Sequence, residues 1–299
     1  MVDDKNLANA VGLNSASFNL ARMIGPALAG MLIAMMGSGV RATGWVIMLN
    51  GVSYAAVVVS LLLMRQSEMT PARPIGRAKG QLRDGVRYVR SRPDIILILA
   101  IVFCAGTFGF NFQMTTALMA TEVFGKGAGE YGLLGSILAI GSLAGSLIAA
   151  RRAVPRQTVI VACAIAFGLV EILSGLAPTY LLFAVSQPLC GITSLLMIAT
   201  ANAFVQMRVS AEMRGRVMAL YMMIFMGGTP LGAPILGWVA EQWGARWTLI
   251  GGGALTAVGT VVATALLAGR QGVSISDRLR QRSGLIVDSA KVTDSPVAA

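Results

Sequence analysis

Eight stretches of this chain stay apolar for about 20 residues each, the length an α-helix needs to cross a hydrocarbon core of roughly 30 Å. They lie near residues 13–36, 44–64, 95–119, 131–150, 158–177, 180–204, 217–240 and 247–269. Helices of soluble domains carry a polar face, and these carry little. The balance of the whole chain agrees, with 56% of its 299 residues hydrophobic and only 12% charged. The expected fold class is therefore an all-α membrane protein with eight transmembrane helices. The first, third, sixth and seventh spans contain Pro, Asn or Gln, which blurs their ends by a few residues.

The net charge of +11 raises the question of a nucleic-acid partner. The placement of the charges argues for a lipid bilayer instead. Of the 24 lysines and arginines, all but Arg22, Arg41, Lys126 and Arg246 fall in alternate loops, the N-terminus and the tail. The longest such loop carries Arg65, Arg73, Arg77, Lys79, Arg83, Arg87, Arg90 and Arg92. Basic residues gather on the cytoplasmic side of membrane proteins, so both termini and this loop are expected in the cytoplasm. Nucleic-acid binding would need the same charges on one soluble surface, interleaved with aromatics. Basic loops beside a bilayer also suit contact with anionic lipid.

Residue usage removes several chemistries. The chain has no histidine, which excludes His-type zinc sites, His-ligated haem and Ser-His triads. Cys104, Cys163 and Cys190 sit singly inside spans, without metal or redox spacing. No G-x-S-x-G elbow or phosphate-cradling loop occurs. No enzyme, cofactor or metal site is expected. The first residues, "MVDDKNLANAVGLN", do not read as a signal peptide.

The first two spans and the last two share a weak likeness. "NAVGLNSASFNLARMIGPALAGMLIAMMGSGVRATGW" and "RVMALYMMIFMGGTPLGAPILGWVAEQWGARW" each pass from a polar segment into a helix with a Gly-Pro element, then a short loop. Pairing Pro26 with Pro234 matches the first span to the seventh, so the repeat unit is six helices. Two parallel copies imply a twelve-helix parent, a plan common in transporters. Residues 1–64 then hold the last two helices of an N-terminal half and 65–94 a basic central loop. Residues 95–269 form a six-helix C-terminal half, and 270–299 a polar cytoplasmic tail expected to be disordered. On this reading the chain lacks about four N-terminal helices.

The six-plus-six plan with its basic central loop resembles the major facilitator superfamily. "NAVGLNSASFNLARMIGPALAG" is similar to the fifth helix of the enterobactin-exporter-like branch, the transmembrane secretion effectors among the drug:proton antiporters. "VQMRVSAEMRGRVMALYMM" is similar to the entry of its eleventh helix. The resemblance covers most of residues 7 to 269. It implies a proton-coupled exporter in the inner or plasma membrane, working by alternating access on a small amphipathic molecule of the siderophore or drug class. The alternative is a truncated, non-transporting fragment of such a transporter.

Small residues spaced by four in "ARMIGPALAG" form a groove that admits a neighbouring backbone, and Pro26 removes a helical hydrogen bond and bends the rod. The resemblance makes Gly25, Pro26 and Gly30 a gate motif, with Pro230 and Pro234 as its counterpart. Ordinary close packing is the other reading. Gly141, Gly145 and Ala149 offer a second flat face, read chiefly as packing. The resemblance sets this helix against the fifth, which would place the two grooves opposite each other.

Arg22 lies about ten residues, or roughly 15 Å, from its cytoplasmic end, where an arginine costs about 2.5 to 3.5 kcal/mol against lipid. Ser15, Asn19, Arg22, Pro26 and Ala29 share one helical face, as a cavity lining would. Its partner is expected on the missing helices. Asn111, Gln113 and Gln187 either line the transport path or each make one interhelical hydrogen bond of about 0.6 to 2 kcal/mol. Glu171 either couples protons or sits near the outer interface for structural reasons, on a helix that the resemblance places at the bundle periphery. Arg22→Ala in the full-length transporter should abolish efflux with no loss of membrane-inserted protein; efflux at the unmutated rate would remove its functional role.

Overall fold

The computed structural model describes residues 21, 24–25, 28–33, 35–37, 40–64, 81–152 and 154–270. These are mostly helical, with no strand among them. The helices are α1 (Val40–Leu62), α2 (Gln81–Arg90), α3 (Pro93–Cys104), α4 (Phe112–Leu118), α5 (Ala128–Ala150), α6 (Gln157–Gly175), α7 (Tyr180–Arg208), α8 (Ala211–Trp243) and α9 (Ala245–Arg270). Seven spans among the described residues are long and apolar enough to cross a membrane, α3 and α4 counting together as Pro93–Val123. Most of the span expected over 13–36, with Ser15, Asn19, Arg22 and Pro26, lies outside the described residues, as do the tail beyond 270 and the first part of the central loop.

The second part of the expected loop is helix α2, not loop. Leu82, Val86 and Val89 recur at helical spacing, with Arg83, Arg87 and Arg90 between them. Gly85 lets α2 lie against Leu220 and Arg216 of α8, and Arg216 also pairs with Asp84 at 3.3 Å. Arg92, just beyond α2, grips both carboxylate oxygens of Asp94 at 3.0 and 2.8 Å and donates to Tyr88 Oη and the Arg208 carbonyl. These bonds to Asp94, opposed by partial desolvation, push the Arg92 guanidinium further above its ordinary value. One arginine thus ties α2, the start of α3 and the end of α7 at the basic end of the bundle.

Helix ends follow local chemistry. Pro93 occupies the first turn of α3, where its missing N–H costs nothing. Thr179 accepts from the Leu182 amide to cap α7, and the Glu130 carboxylate accepts from the Gly127 amide at the start of α5. Gly244, at φ +91°, makes the corner from α8 to α9. Arg246 follows it and donates to the carbonyls of Gly175 and Ala177 at 2.9 and 2.6 Å, closing the C-terminal end of α6. Its guanidinium lies 5.8 Å from the centre of the Phe124 ring.

Ile95, Ile98 and Ile101 of α3, Phe167 of α6, Met197 and Val205 of α7, and Val217 of α8 form the largest buried cluster. Leu169 and Leu173 of α6, Leu181 and Val185 of α7, and Val258 and Leu266 of α9 face outward. Helix α1 buries none of its apolar window within the described structure. In lipid, burial of apolar surface gives helices little reason to associate, so close packing through small residues must. A Cβ added at Gly145 would lie 2.5 Å from the Ile192 carbonyl oxygen, and one at Gly141 would strike Pro188. Gly191 of α7 meets Leu138 and Ser142 in return. Gly168 of α6 and Gly253 of α9 form the same mutual contact. The flat face of α5 therefore packs on α7, and no contact of Gly141 or Gly145 with the Gly25 groove is seen among the described residues. Gly30 instead meets the other end of α5, where a Cβ would fall 2.6 Å from the Ala128 carbonyl oxygen.

Gly141→Val should lower stability in detergent by about 2 kcal/mol or more, because backbone on the facing helix cannot yield. Gly237→Ala on α8, where a Cβ would meet no described atom within 4 Å, should be neutral or stabilising by up to about 1 kcal/mol. Thermal unfolding of the two variants checks the contrast; equal Tm values would contradict it.

Candidate functional site: a cavity at a broken helix

The third span does not run straight. After Cys104 it loosens into a π-helical turn, Ala105–Gly109, leaves helical geometry at Phe110 and Asn111, and resumes as α4. The reason lies in "CAGTFGFNFQ". Gly106 and Gly109 weaken the helix, and α8 and α9 approach there too closely for anything larger. A Cβ at Gly106 would lie 2.9 Å from the Phe225 carbonyl oxygen, one at Gly228 would lie 2.8 Å from the Thr107 amide nitrogen, and one at Gly252 would lie 2.5 Å from the Phe108 carbonyl oxygen.

Non-helical backbone at membrane depth needs local partners. The Phe110 amide donates to the Ala105 carbonyl and the Asn111 amide to the Gly109 carbonyl, each at 2.8 Å. Asn111 Nδ2 donates to the Thr107 carbonyl at 2.9 Å, and Thr229 Oγ1 donates to the Gly106 carbonyl at 3.4 Å. Asn111 is thus a built-in patch for the break, which leaves its Oδ1 as an acceptor.

The break lines a cavity of about 750 Å³. Phe110, Asn111, Phe112, Gln113, Met114 and Thr116 supply one wall; Tyr131, Gly132, Gly135, Leu138 and Ala139 of α5 supply another; Thr229 and Ala233 of α8 a third; Ala29, Gly30 and Ile33 the last. The volume suits a small organic molecule, and the lining is apolar and aromatic with a few polar groups. Phe110 packs against Phe112, Phe167 and Phe225 with ring centroids 5.4 to 5.8 Å apart. Tyr131 Oη donates to the Gln113 carbonyl at 3.3 Å, joining two walls.

Of the residues singled out from sequence, Asn111, Gln113, Ala29 and Gly30 meet at this cavity. Gln187 does not line it. It is buried in α7, where Nε2 donates to the Phe183 carbonyl at 3.3 Å. A Cβ at Gly25 would meet no described atom within 4 Å, whereas Gly30, Gly141 and Gly145 make close contacts. Pro230 and Pro234 lie inside α8, between the two ends of a 33-residue helix. Phe110, Tyr131 and Thr229 were missed. The two glycines preceding Asn111 were the available signal.

Glu171 is only 1% exposed, although Leu169 and Leu173 on the outer face of the same helix are 52% and 65% exposed. The helix is peripheral, but this side chain points inward, against the π-helical turn of α3 and against α9. A Cβ at Gly109 would lie 3.1 Å from Glu171 Oε2, and one at Gly253 would lie 2.9 Å from Glu171 Cβ. Oε2 has no hydrogen-bond partner, and among the buried side-chain oxygens and nitrogens of the described residues only Thr107 Oγ1 shares that condition. Also among the described residues, no three His, Cys, Asp or Glu side chains converge to hold a metal.

A discontinuous span lining a cavity among close-packed apolar helices is the architecture of a transporter. The family model described as transmembrane secretion effector matches residues 1–280. The chain belongs to this family. It is accordingly a multi-pass membrane protein of the major facilitator type, and the family is one of transporters. A comparison with curated proteins returned no match. The partners of such a transporter are a small-molecule substrate and the lipid around it.

Asn111→Leu should destabilise this transmembrane secretion effector by about 1 to 3 kcal/mol, since the Thr107 carbonyl then loses its donor. Thermal unfolding in detergent reads the loss; an unchanged Tm would show that the break needs no side-chain patch.

Proposed function

We propose that the protein exports a small amphipathic molecule of the siderophore or drug class, driven by protons, by alternating access around the cavity at Phe110–Asn111. The observation that carries this reading is the cavity itself, with its aromatic walls, two amides and size suited to a small molecule. The basic end of the bundle, with Arg92, Arg208 and Arg216, faces the cytoplasm, and the end bearing Lys126 and Arg246 faces outward. The membrane is the inner or plasma membrane, and nucleic acid is no partner.

Helices α3 to α9 act as one half of the transporter, and residues 1–64 belong to the other. The close approach of Gly30 to Ala128 and Gly132 then lies at the moving contact between halves. This position supports a gating role for the Gly25-Pro26 element and Gly30, with Pro230 and Pro234 as the matching bend. Arg22, Asn19 and Ser15, which lie outside the described residues, are by their spacing in the sequence the candidates for a polar stripe along the same path. Glu171 is the candidate proton carrier.

The test is uptake of neutral and cationic fluorescent amphipaths into inside-out vesicles under an imposed proton gradient. Accumulation that depends on the protein and collapses with a protonophore is the expected result. Gly135→Trp fills the cavity from α5 and should cut the rate by at least about tenfold, with protein level unchanged. Uptake insensitive to both the gradient and Gly135→Trp would overturn the reading, and no uptake of any compound would favour a non-transporting fragment.

A further inference from the structure

We propose that Thr116 determines the specificity of the cavity at the break, and that the molecule bound there is a flat ring compound with a hydroxyl on its rim. The ring lies on the small-residue face of α5 while Thr116 reads the hydroxyl. The proposal deepens the exporter reading and rests on it for the cavity's role in transport, whereas the binding itself is measured without transport.

Threonines within helices often return their hydroxyl proton to the preceding turn. Thr115, Thr121, Thr200, Thr256 and Thr260 each donate to the carbonyl four residues earlier, at 2.6 to 3.2 Å. Thr116 stands beside Thr115 on α4, yet its hydroxyl makes no hydrogen bond among the described residues. The residue is only 5% exposed, and it lines the cavity. A hydroxyl carries one proton and two acceptor lone pairs, so Thr116 offers an unspent donor and an unspent acceptor to whatever fills the space.

The other polar groups of the lining are committed or loosely held. The Tyr131 and Thr229 hydroxyls donate to the Gln113 and Gly106 carbonyls, and Asn111 Nδ2 donates to the Thr107 carbonyl. The Gln113 carboxamide is unbonded but exposed, so nothing fixes it toward the cavity. Among the described residues no charged side chain lines the space, so an occupant is read there by hydrogen bonding rather than by charge. An occupant that shuts water away from Thr116 must supply the hydrogen bond itself or bind more weakly. A hydroxyl can both accept from Thr116 and donate to it.

The facing wall sets the shape. Gly132, Gly135 and Ala139 follow at i, i+3 and i+7 on one face of α5, and all three line the cavity. Side chains this small leave a flat strip of backbone. Gly30 closes on its start, since a Cβ there would lie 3.0 Å from Gly132 Cα, so the strip left for an occupant runs over Gly135 and Ala139. Phe110 and Phe112 add aromatic surface on the Thr116 side, which favours another ring. The Tyr131 bond to the Gln113 carbonyl pins the two walls together at one edge. A planar ring can slide between such walls, and a puckered skeleton cannot lie flat on either.

The test uses the full chain in lipid nanodiscs and tritiated β-naphthol, a flat ring with one rim hydroxyl, with binding to empty nanodiscs subtracted. Naphthalene, flat without the hydroxyl, and β-decalol, hydroxylated but puckered, are the competitors. β-Naphthol should bind saturably, and each competitor should be weaker by at least about tenfold. Thr116→Val keeps the side-chain shape and should weaken β-naphthol by about tenfold while leaving the inhibition constant of naphthalene unchanged. Thr116→Ser should restore β-naphthol binding, and Gly135→Trp should remove saturable binding of all three. A purely structural role for Thr116 would weaken flat ligands alike, with or without the hydroxyl. That result, or no saturable β-naphthol binding, or competitors equal to it, or indifference to Thr116→Val, would overturn the inference. Thr116-dependent binding without proton-driven uptake removes the exporter reading only, and proton-driven uptake without Thr116-dependent binding removes this inference only.

Discussion

Inside a bilayer an unpaired backbone carbonyl has no water to turn to, and the break between Ala105 and Asn111 is where this chain meets that constraint most sharply. Everything near it serves to satisfy or shield the exposed backbone. Asn111 donates to Thr107, Thr229 donates to Gly106, and Gly228, Gly232 and Gly252 bring α8 and α9 against the turn. A span that would be simpler as an unbroken helix is broken because two neighbours, α8 and α9, are shaped around the break. What results is a cavity with polar groups at membrane depth, which a straight apolar helix does not provide.

The same reliance on close approach explains the rest of the bundle. Lipid is as apolar as leucine, so the seven spans gain little by hiding leucine from it. They gain by bringing backbones together, as Gly141 and Gly145 do with α7, and as Gly168 and Gly253 do with each other. The ends are held differently. Arg92 gathers α2, α3 and α7 at one end, and Arg246 closes α6 against α9 and Phe124 at the other, where water and headgroups let charge persist. Glu171 stands apart from both patterns, a carboxyl placed where neither water nor a basic partner reaches its inner oxygen.

Much of this was legible beforehand. Periodicity and length located each described span to within about six residues at its ends, because a bilayer imposes one length on any helix that crosses it. Segregation of the arginines foretold that Arg92, Arg208 and Arg216 would share one end and Arg246 the other. Asn111 and Gln113 stood out as amides in an apolar run, and they do line the cavity. The helix over Gln81–Arg90 was also readable, from apolar residues three and four apart between arginines, yet the density of charge around it looked like loop.

By itself the sequence determined the spans, their charged ends and the small-residue stripes, because these depend on residue type and spacing along one helix. Which stripe meets which partner was decided only in three dimensions. Gly141 fits against Pro188 and Gly191 on α7, Gly145 against Ile192, and Gly30 against Ala128, since steric fit is a property of pairs of surfaces. The inward turn of Glu171 on a peripheral helix was decided the same way, by Gly109 and Gly253 leaving it room. So was the break at Phe110, since glycines permit a break but only the approach of α8 and α9 makes that conformation the better packed one.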